Sequence, residues 1–274
     1  MALSLLVLTD FTHPASHALA YADCLAGAIG ARLVLLHVRR DAILDPEQLT
    51  GTLADRDTEA INLAFASLER ELTVPAVVEM GHGLVAEGVA RAVRQHQPSL
   101  IVLGRNEAGN TPDELLTPLA IALLRTIPHP LLVVPASHAA LPVPRRMLLA
   151  VDGEPFTLGP YAGPVRHLLN ALPAALTVLH VLPPGSVNVL PGMALKSVER
   201  TGLVDDLAEL THHRSVFAPH PAEGILRVAK PADFDVVALI ARPRSFLGSL
   251  FHHSVTARVL LHSPLPVLML PAME

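Results

Sequence analysis

The sequence has a single cysteine, Cys24, no tryptophan, and only 3% aromatic residues. One thiol excludes an intrachain disulfide and any zinc site built from several cysteines. The expected place for Cys24 is the apolar interior, where free cysteine usually packs. Charge is also scarce: Asp, Glu, Lys and Arg together make 16%, with a net charge of −5. Without a basic excess there is nothing to neutralise a phosphate backbone, so nucleic acid is not an expected partner. The opening run from Met1 to Leu8 lacks a basic flank and meets Asp10 too soon for a secretory leader. No uninterrupted apolar run approaches the ~18 residues of a spanning helix. The expectation is a soluble, cytoplasmic chain with no membrane partner.

Several catalytic signatures are missing as well. There is no Gly-x-Ser-x-Gly elbow for a hydrolase nucleophile and no Gly-x-x-x-x-Gly-Lys-Ser/Thr phosphate loop. The dinucleotide fingerprint fails because Gly81-His82-Gly83 is followed by Ala86 where a third glycine is needed. Fifteen histidines invite a metal reading. The adjacent pairs His212-His213 and His252-His253 would project about 100° apart on a helix, and no metal is expected. His37 and His180, near strand ends, read as structural histidines. No catalytic residue is assigned, although slow nucleotide hydrolysis is not excluded by these absences.

What the sequence does have is apolar residues, at 51% of its 274, enough for two domains of ordinary size. They fall in solid Val/Leu/Ile runs, the mark of strands buried on both faces. The runs repeat. Leu5-Leu6-Val7-Leu8-Thr9-Asp10 is answered by Met147-Leu148-Leu149-Ala150-Val151-Asp152, and Leu33-Val34-Leu35-Leu36-His37-Val38 by Leu176-Thr177-Val178-Leu179-His180-Val181. The closing segments, Pro128-His129-Pro130 ahead of Leu131–Pro135 and Pro264-Leu265-Pro266 ahead of Val267–Pro271, share one proline punctuation. This is an internal duplication.

Strands are expected near 4–10, 31–38, 74–80, 99–104 and 130–135, and helices near 15–29, 53–71, 84–96 and 114–126. The second half repeats the alternation, with strands near 146–152, 175–182, 214–218, 234–241 and 266–270. Its helices are expected near 157–171, 197–211, 222–230 and 250–262. Such alternation implies parallel strands with right-handed crossovers. The expected architecture is α/β: domains of residues 1–138 and 145–274, each an open, mostly parallel five-stranded sheet with helices on both faces. A linker at 139–144 lies in the proline- and alanine-rich stretch 136–144.

Ligands of such sheets bind beyond the carboxyl ends of the strands, where strand order reverses. Asp10 and Asp152 end strand one there, either to accept hydrogen bonds from a ligand or to cap the amides of the following helix. After strand four, Gly104-Arg105-Asn106-Glu107 forms a turn ahead of a helix start near Thr117, a geometry that offers backbone N–H groups to an anion.

On these residues the chain resembles the universal stress proteins, whose domain has five strands, a strand-one aspartate and, in nucleotide-binding members, Gly-x-x-Gly followed nine residues later by Gly-Ser or Gly-Thr. The turn at Gly81-His82-Gly83 and the segment Pro221–Ile225 resemble the family's third strand–helix junction. Here the nucleotide motif is eroded. Glu107 stands at the second glycine of the first half and Thr117-Pro118 at the Gly-Ser pair. In the second half, Ala241-Arg242-Pro243-Arg244 and His253-Ser254 replace them, at a spacing that reads one residue short. Arg242 and Arg244 offer side-chain donors for phosphate in place of amides.

The resemblance implies a non-catalytic stress-response protein. The candidate nucleotide or anion contacts are Asp10, Val38, Gly104 and Arg105 in the first half, and Asp152, Val181, Ala241, Arg242, Arg244 and Ser254 in the second. The ligand, if one binds, would be ATP or AMP, with the second half favoured. The resemblance further implies a pseudo-dimer in which the last strands of the two domains pair. Further homodimerisation and an unidentified protein partner are left open.

Overall fold

The computed structural model describes residues 3–39, 51–105, 119–120, 122–123, 127–136, 143–186, 192–205, 211–242 and 254–273, with 51–58 as backbone alone. The first half contributes β1 (Ser4–Leu8), α1 (His13–Ile29), β2 (Arg32–Arg39), α2 (Gly51–Glu71), β3 (Ala76–His82), α3 (Val85–His96), β4 (Leu100–Arg105) and β5 (Leu131–Pro135). The second contributes β6 (Arg146–Val151), α4 (Ala162–Ala171), β7 (Ala175–Leu182), α5 (Met193–Glu199), β8 (Thr211–Phe217), α6 (Pro221–Val228), β9 (Val236–Ala241), α7 (Val255–His262) and β10 (Val267–Pro271).

Within each half every strand pair is parallel. The halves meet at β5 and β10, which pair antiparallel with Val133 opposite Val267 and Leu131 opposite Met269. Two five-stranded sheets thereby become one ten-stranded sheet in the order β3-β2-β1-β4-β5-β10-β9-β6-β7-β8. Continuity of the sheet is a consequence of this edge pairing, and the duplication stays visible on either side of the seam. In each half the strand order reverses between strands one and four.

Because successive strand residues point to opposite faces, the solid apolar runs feed two core layers. Leu5, Leu33 and Leu35 join Met147, Leu176 and Val178 on one face, with residues of α1, α2, α4 and α5. Leu6, Val34 and Leu36 join Leu148, Leu179 and Val237 on the other, with residues of α3, α6 and α7. Both layers run through both halves, so the two domains share their cores.

Most strand bounds agree closely with the sequence reading, but two helical expectations and one strand change. The helix expected at 197–211 is α5, ending at Glu199; the chain then turns, with Gly202 left-handed at φ +70, and residues 206–210 lie outside the described residues. The strand expected at 214–218 starts earlier, at Thr211, which also moves His212-His213 from a helix to a strand. The helix expected from 157 begins at Ala162, after a single 3-10 turn at Gly159–Tyr161. Most of the helix expected at 114–126, the start of that expected at 250, and residues 137–142 of the linker segment lie outside the described residues. Cys24 is half-buried on α1, not in the core. No helix among the described residues is long and apolar enough to cross a membrane.

Candidate functional site

At the carboxyl ends of β6, β7 and β9 the second half holds a cavity of about 490 Å³. Four of the residues expected at a ligand site line it: Asp152, Val181, Arg242 and Ser254. Aliphatic side chains make most of the remaining wall, among them Leu179, Ile225, Leu239 and Val255.

The charged groups of the wall are paired with each other. Arg242 Nε donates to Asp152 Oδ2 at 3.0 Å and Nη2 to Oδ1 at 2.8 Å, a two-pronged ion pair. The same guanidinium donates to the carbonyls of Pro155 at 3.1 Å and Glu154 at 3.0 Å. Arg242 thus ties the end of β9 to the loop that follows β6. The donors of Arg242, expected to meet a phosphate, point here at a carboxylate and two backbone oxygens. Asp152 also accepts the Glu154 N–H at 3.0 Å.

Ser254 caps α7, its Oγ accepting the Ala257 N–H at 3.1 Å. Val181 packs against α6 so closely that a β-carbon on Gly224 would sit 2.5 Å from it. His180 is buried below Asp152, and its imidazole is held below the ordinary histidine range, chiefly by burial and next by the charge of His213. A hydrogen bond to the Asp152 backbone and that residue's charge oppose the shift.

In the first half the corresponding residues have structural duties. Asp10 Oδ1 accepts the Thr12 N–H at 3.1 Å and the Thr12 hydroxyl at 2.5 Å, shaping the turn into α1. The bonds fall on Thr12, the residue ahead of the helix, and no side chain caps the amides of α1. Val38 packs on Gly88 of α3, as Val181 does on Gly224. Gly104 faces the first turn of α1: a β-carbon there would collide with the backbone of Pro14 and Ala15. Its glycine is required by close approach of helix to strand.

Arg105 is buried, and it reaches across the seam. Its Nη1 donates to the carbonyl of Leu261 at 2.9 Å and its Nη2 to that of Ser263 at 2.6 Å. These are carbonyls at the end of α7, where a cation also meets the negative end of the helix dipole. Arg105 is therefore a strut between the halves.

The ladders also correct the alignment of the two turns. Leu5 pairs Leu100 and the equivalent Met147 pairs Val236, so Gly104 corresponds to Ile240 and Arg105 to Ala241. The apparent shortening then disappears, because the interval from Gly104 to Thr117 equals that from Ile240 to His253. Ile240 and Pro243 thus hold the two glycine positions of the second half. Ala241 is buried and does not appear in the cavity wall. Glu107, Thr117-Pro118, Pro243, Arg244 and the pair His252-His253 lie outside the described residues.

One histidine pair escapes the sequence argument: His13 and His17, four apart on α1, with ring centroids 6.1 Å apart. Among the described residues no group of three or more His, Cys, Asp or Glu is placed to hold a metal ion.

A doubly wound parallel sheet present twice in one chain, with a cavity beyond the strand ends of the second copy, defines a tandem nucleotide-fold α/β protein. The sequence matches the Universal stress protein family over residues 1–135 and again over 144–271, and the chain belongs to that family. Two solved structures share the fold over almost its full length. A universal stress protein from Archaeoglobus fulgidus DSM 4304 is 17% identical, with a TM-score of 0.70, over 98% of each chain. A functionally unknown protein from Pseudomonas aeruginosa PAO1 is 20% identical, with a TM-score of 0.59, over 99% of this chain and 93% of its own. No curated protein gives a significant match.

Proposed function

We propose that the protein is a non-catalytic stress-response regulator in which the second half is the ligand-responsive unit and the first half its structural partner. The observation that carries this reading is the cavity of about 490 Å³ in the second half, a volume ordinary for small-molecule sites. Support comes also from the first half, where Gly104 and Arg105, expected at a ligand, are engaged in packing and in the interdomain strut. The domains are residues 1–138 and 145–274, working as an intrachain pseudo-dimer. ATP and AMP are the ligands that the family resemblance brings forward, and binding would act on a protein partner through the surface around the cavity mouth.

The test is calorimetry with ATP and AMP on the wild-type chain and on Ile225→Trp, which fills the cavity from α6. Binding to the wild type that Ile225→Trp removes is the expected outcome; binding that survives the substitution rejects the site. Steady phosphate release from ATP by pure protein, abolished by Asp152→Ala, would overturn the non-catalytic assignment.

A further inference from the structure

We infer that His13 and His17, one turn apart at the start of α1, chelate a divalent transition-metal ion of the class that imidazole suits, such as zinc, nickel or copper. The site lies in the first half and is independent of the cavity in the second.

Residues four apart on a helix stand one above the other on the same face. α1 begins at His13, with proline among its first residues, and the proline ring fixes the backbone for that turn. His13 is exposed and His17 half-buried; their ring centroids are 6.1 Å apart and their planes tilted by 30°. Two imidazoles that share a tetrahedral ion, at metal–nitrogen distances of about 2.0–2.1 Å, hold their ring centres roughly 5–6 Å apart. A small side-chain rotation closes the difference and leaves the helix as it is. The two rings supply two ligands, and water completes the shell on the solvent side, where His13 stands open.

The pair also has nitrogens to spend. The Nδ1 atom of His17 is buried and has no hydrogen-bond partner among the described residues, unlike most buried polar atoms. No internal bond at that nitrogen therefore holds the ring against rotation. Other histidines are engaged: His37 with the Thr9 carbonyl, His96 with Glu79 and His129 with the Pro98 carbonyl. His212 and His213, the adjacent pair among the described residues, sit on β8 and point to opposite faces of the sheet.

A cation near a helix start works against the macrodipole, an opposition that solvent screens at an exposed site. The Asp10 carboxylate, which accepts from Thr12 just ahead of the helix, offsets part of it. In return the ion ties together a helix start whose cap residue, Thr12, makes no side-chain bond to the helix. Fraying parts the two rings, so the ion binds the wound form in preference and stabilises it.

The experiment titrates the whole untagged chain with zinc chloride by calorimetry, beside His13→Gln, His17→Gln and the double variant. Magnesium chloride, whose ion prefers oxygen ligands, is the control and should not compete. A chelate loses its advantage when either donor goes, so each single variant should weaken the tightest zinc equivalent at least about tenfold. The double variant should lose no more than the singles.

Amide exchange locates the ion. Zinc should slow exchange at Ser16, whose N–H closes the first turn on the Thr12 carbonyl at 2.9 Å, in the wild type and in neither single variant. Because His13 is exposed, His13→Gln decides the question even if His17→Gln disturbs packing. A tight zinc equivalent that survives His13→Gln overturns the site. So do single losses that add up in the double variant, exchange at Ser16 unmoved by zinc, or a wild type that holds zinc no better than the double variant.

Discussion

In the first half, the residue after the strand-one aspartate is Phe11, held at φ +61; in the second half it is Gly153, at φ +79. Both turns need a left-handed residue, but only glycine takes that conformation without strain. Phe11 is kept there by ring contacts, 5.0 Å to His37 and 5.2 Å to Phe65 between centroids, against the α2 side of the core. The same contrast recurs at strand four. Gly104 lets α1 pack directly on β4, whereas Ile240 occupies the equivalent place where the second half starts α4 later, after a loop and a 3-10 turn. Arg105 braces the seam, and its counterpart Ala241 cannot. One half has committed its strand-end residues to packing and to holding the tandem together. The other keeps a longer loop there, pinned by Arg242, beside a cavity.

The largest effect on this comparison should come from the join itself. Val133→Lys places an ammonium in the buried β5–β10 ladder, opposite Val267. It should destabilise the chain by on the order of 4 kcal/mol. Melting temperature and the scattering radius are the measurements, and no change in either would reject the pairing. Next, Gly104→Ala drives a methyl into the first turn of α1 and should cost about 2–3 kcal/mol. Ile240→Ala, at the equivalent position, trims a half-buried side chain that packs on the core and lines the cavity; with no backbone collision it should cost less, by urea unfolding of both variants. If the two behave alike, the halves do not differ in the way described.

Arg105→Ala leaves the carbonyls of Leu261 and Ser263 without these donors and should cost about 2 kcal/mol, with Arg105→Lys recovering part of it. The same denaturant titrations measure it.

The smallest effect is one of pH. His129 is buried beside Tyr161 of the other half, its Nε2 on the Pro98 carbonyl at 2.6 Å. Burial holds its imidazole below the ordinary 6.5, against the pull of that hydrogen bond. The folded state therefore binds this proton less readily than the unfolded chain. The contribution is complete above about pH 6.5 and is lost as pH falls through the folded value. Stability should fall further between about pH 7.5 and about pH 5.5 in the wild type than in His129→Gln. An equal fall in both would remove His129 from the account.

How far the sequence foretold all this depends on the range of the interaction. Strand positions, the paired aspartates and the closing strands of the two halves follow from local apolar patterning, and they stand where that patterning puts them. The bracing contacts of Arg105 were not legible because its acceptors, Leu261 and Ser263, lie more than a hundred and fifty residues away. The ion pair of Arg242 with Asp152 was out of sight for the same reason, since ninety residues separate the two. The equivalence of Gly104 with Ala241 was anchored on small side chains, while the ladder registers Gly104 with Ile240. The end of α5 precedes a turn with Gly202 left-handed, which no periodicity announces.

The antiparallel seam also determines where the molecule ends. Each half has given its β5 or β10 border to its twin, so the borders left for a further strand are β3 and β8. Along β8, His212, His213, Arg214 and Ser215 are all exposed, side chains that discourage another chain from zipping on. Fusion in tandem thus completes an assembly that separate copies would have to build by meeting, and the outer border of the second half is poorly suited to prolonging it.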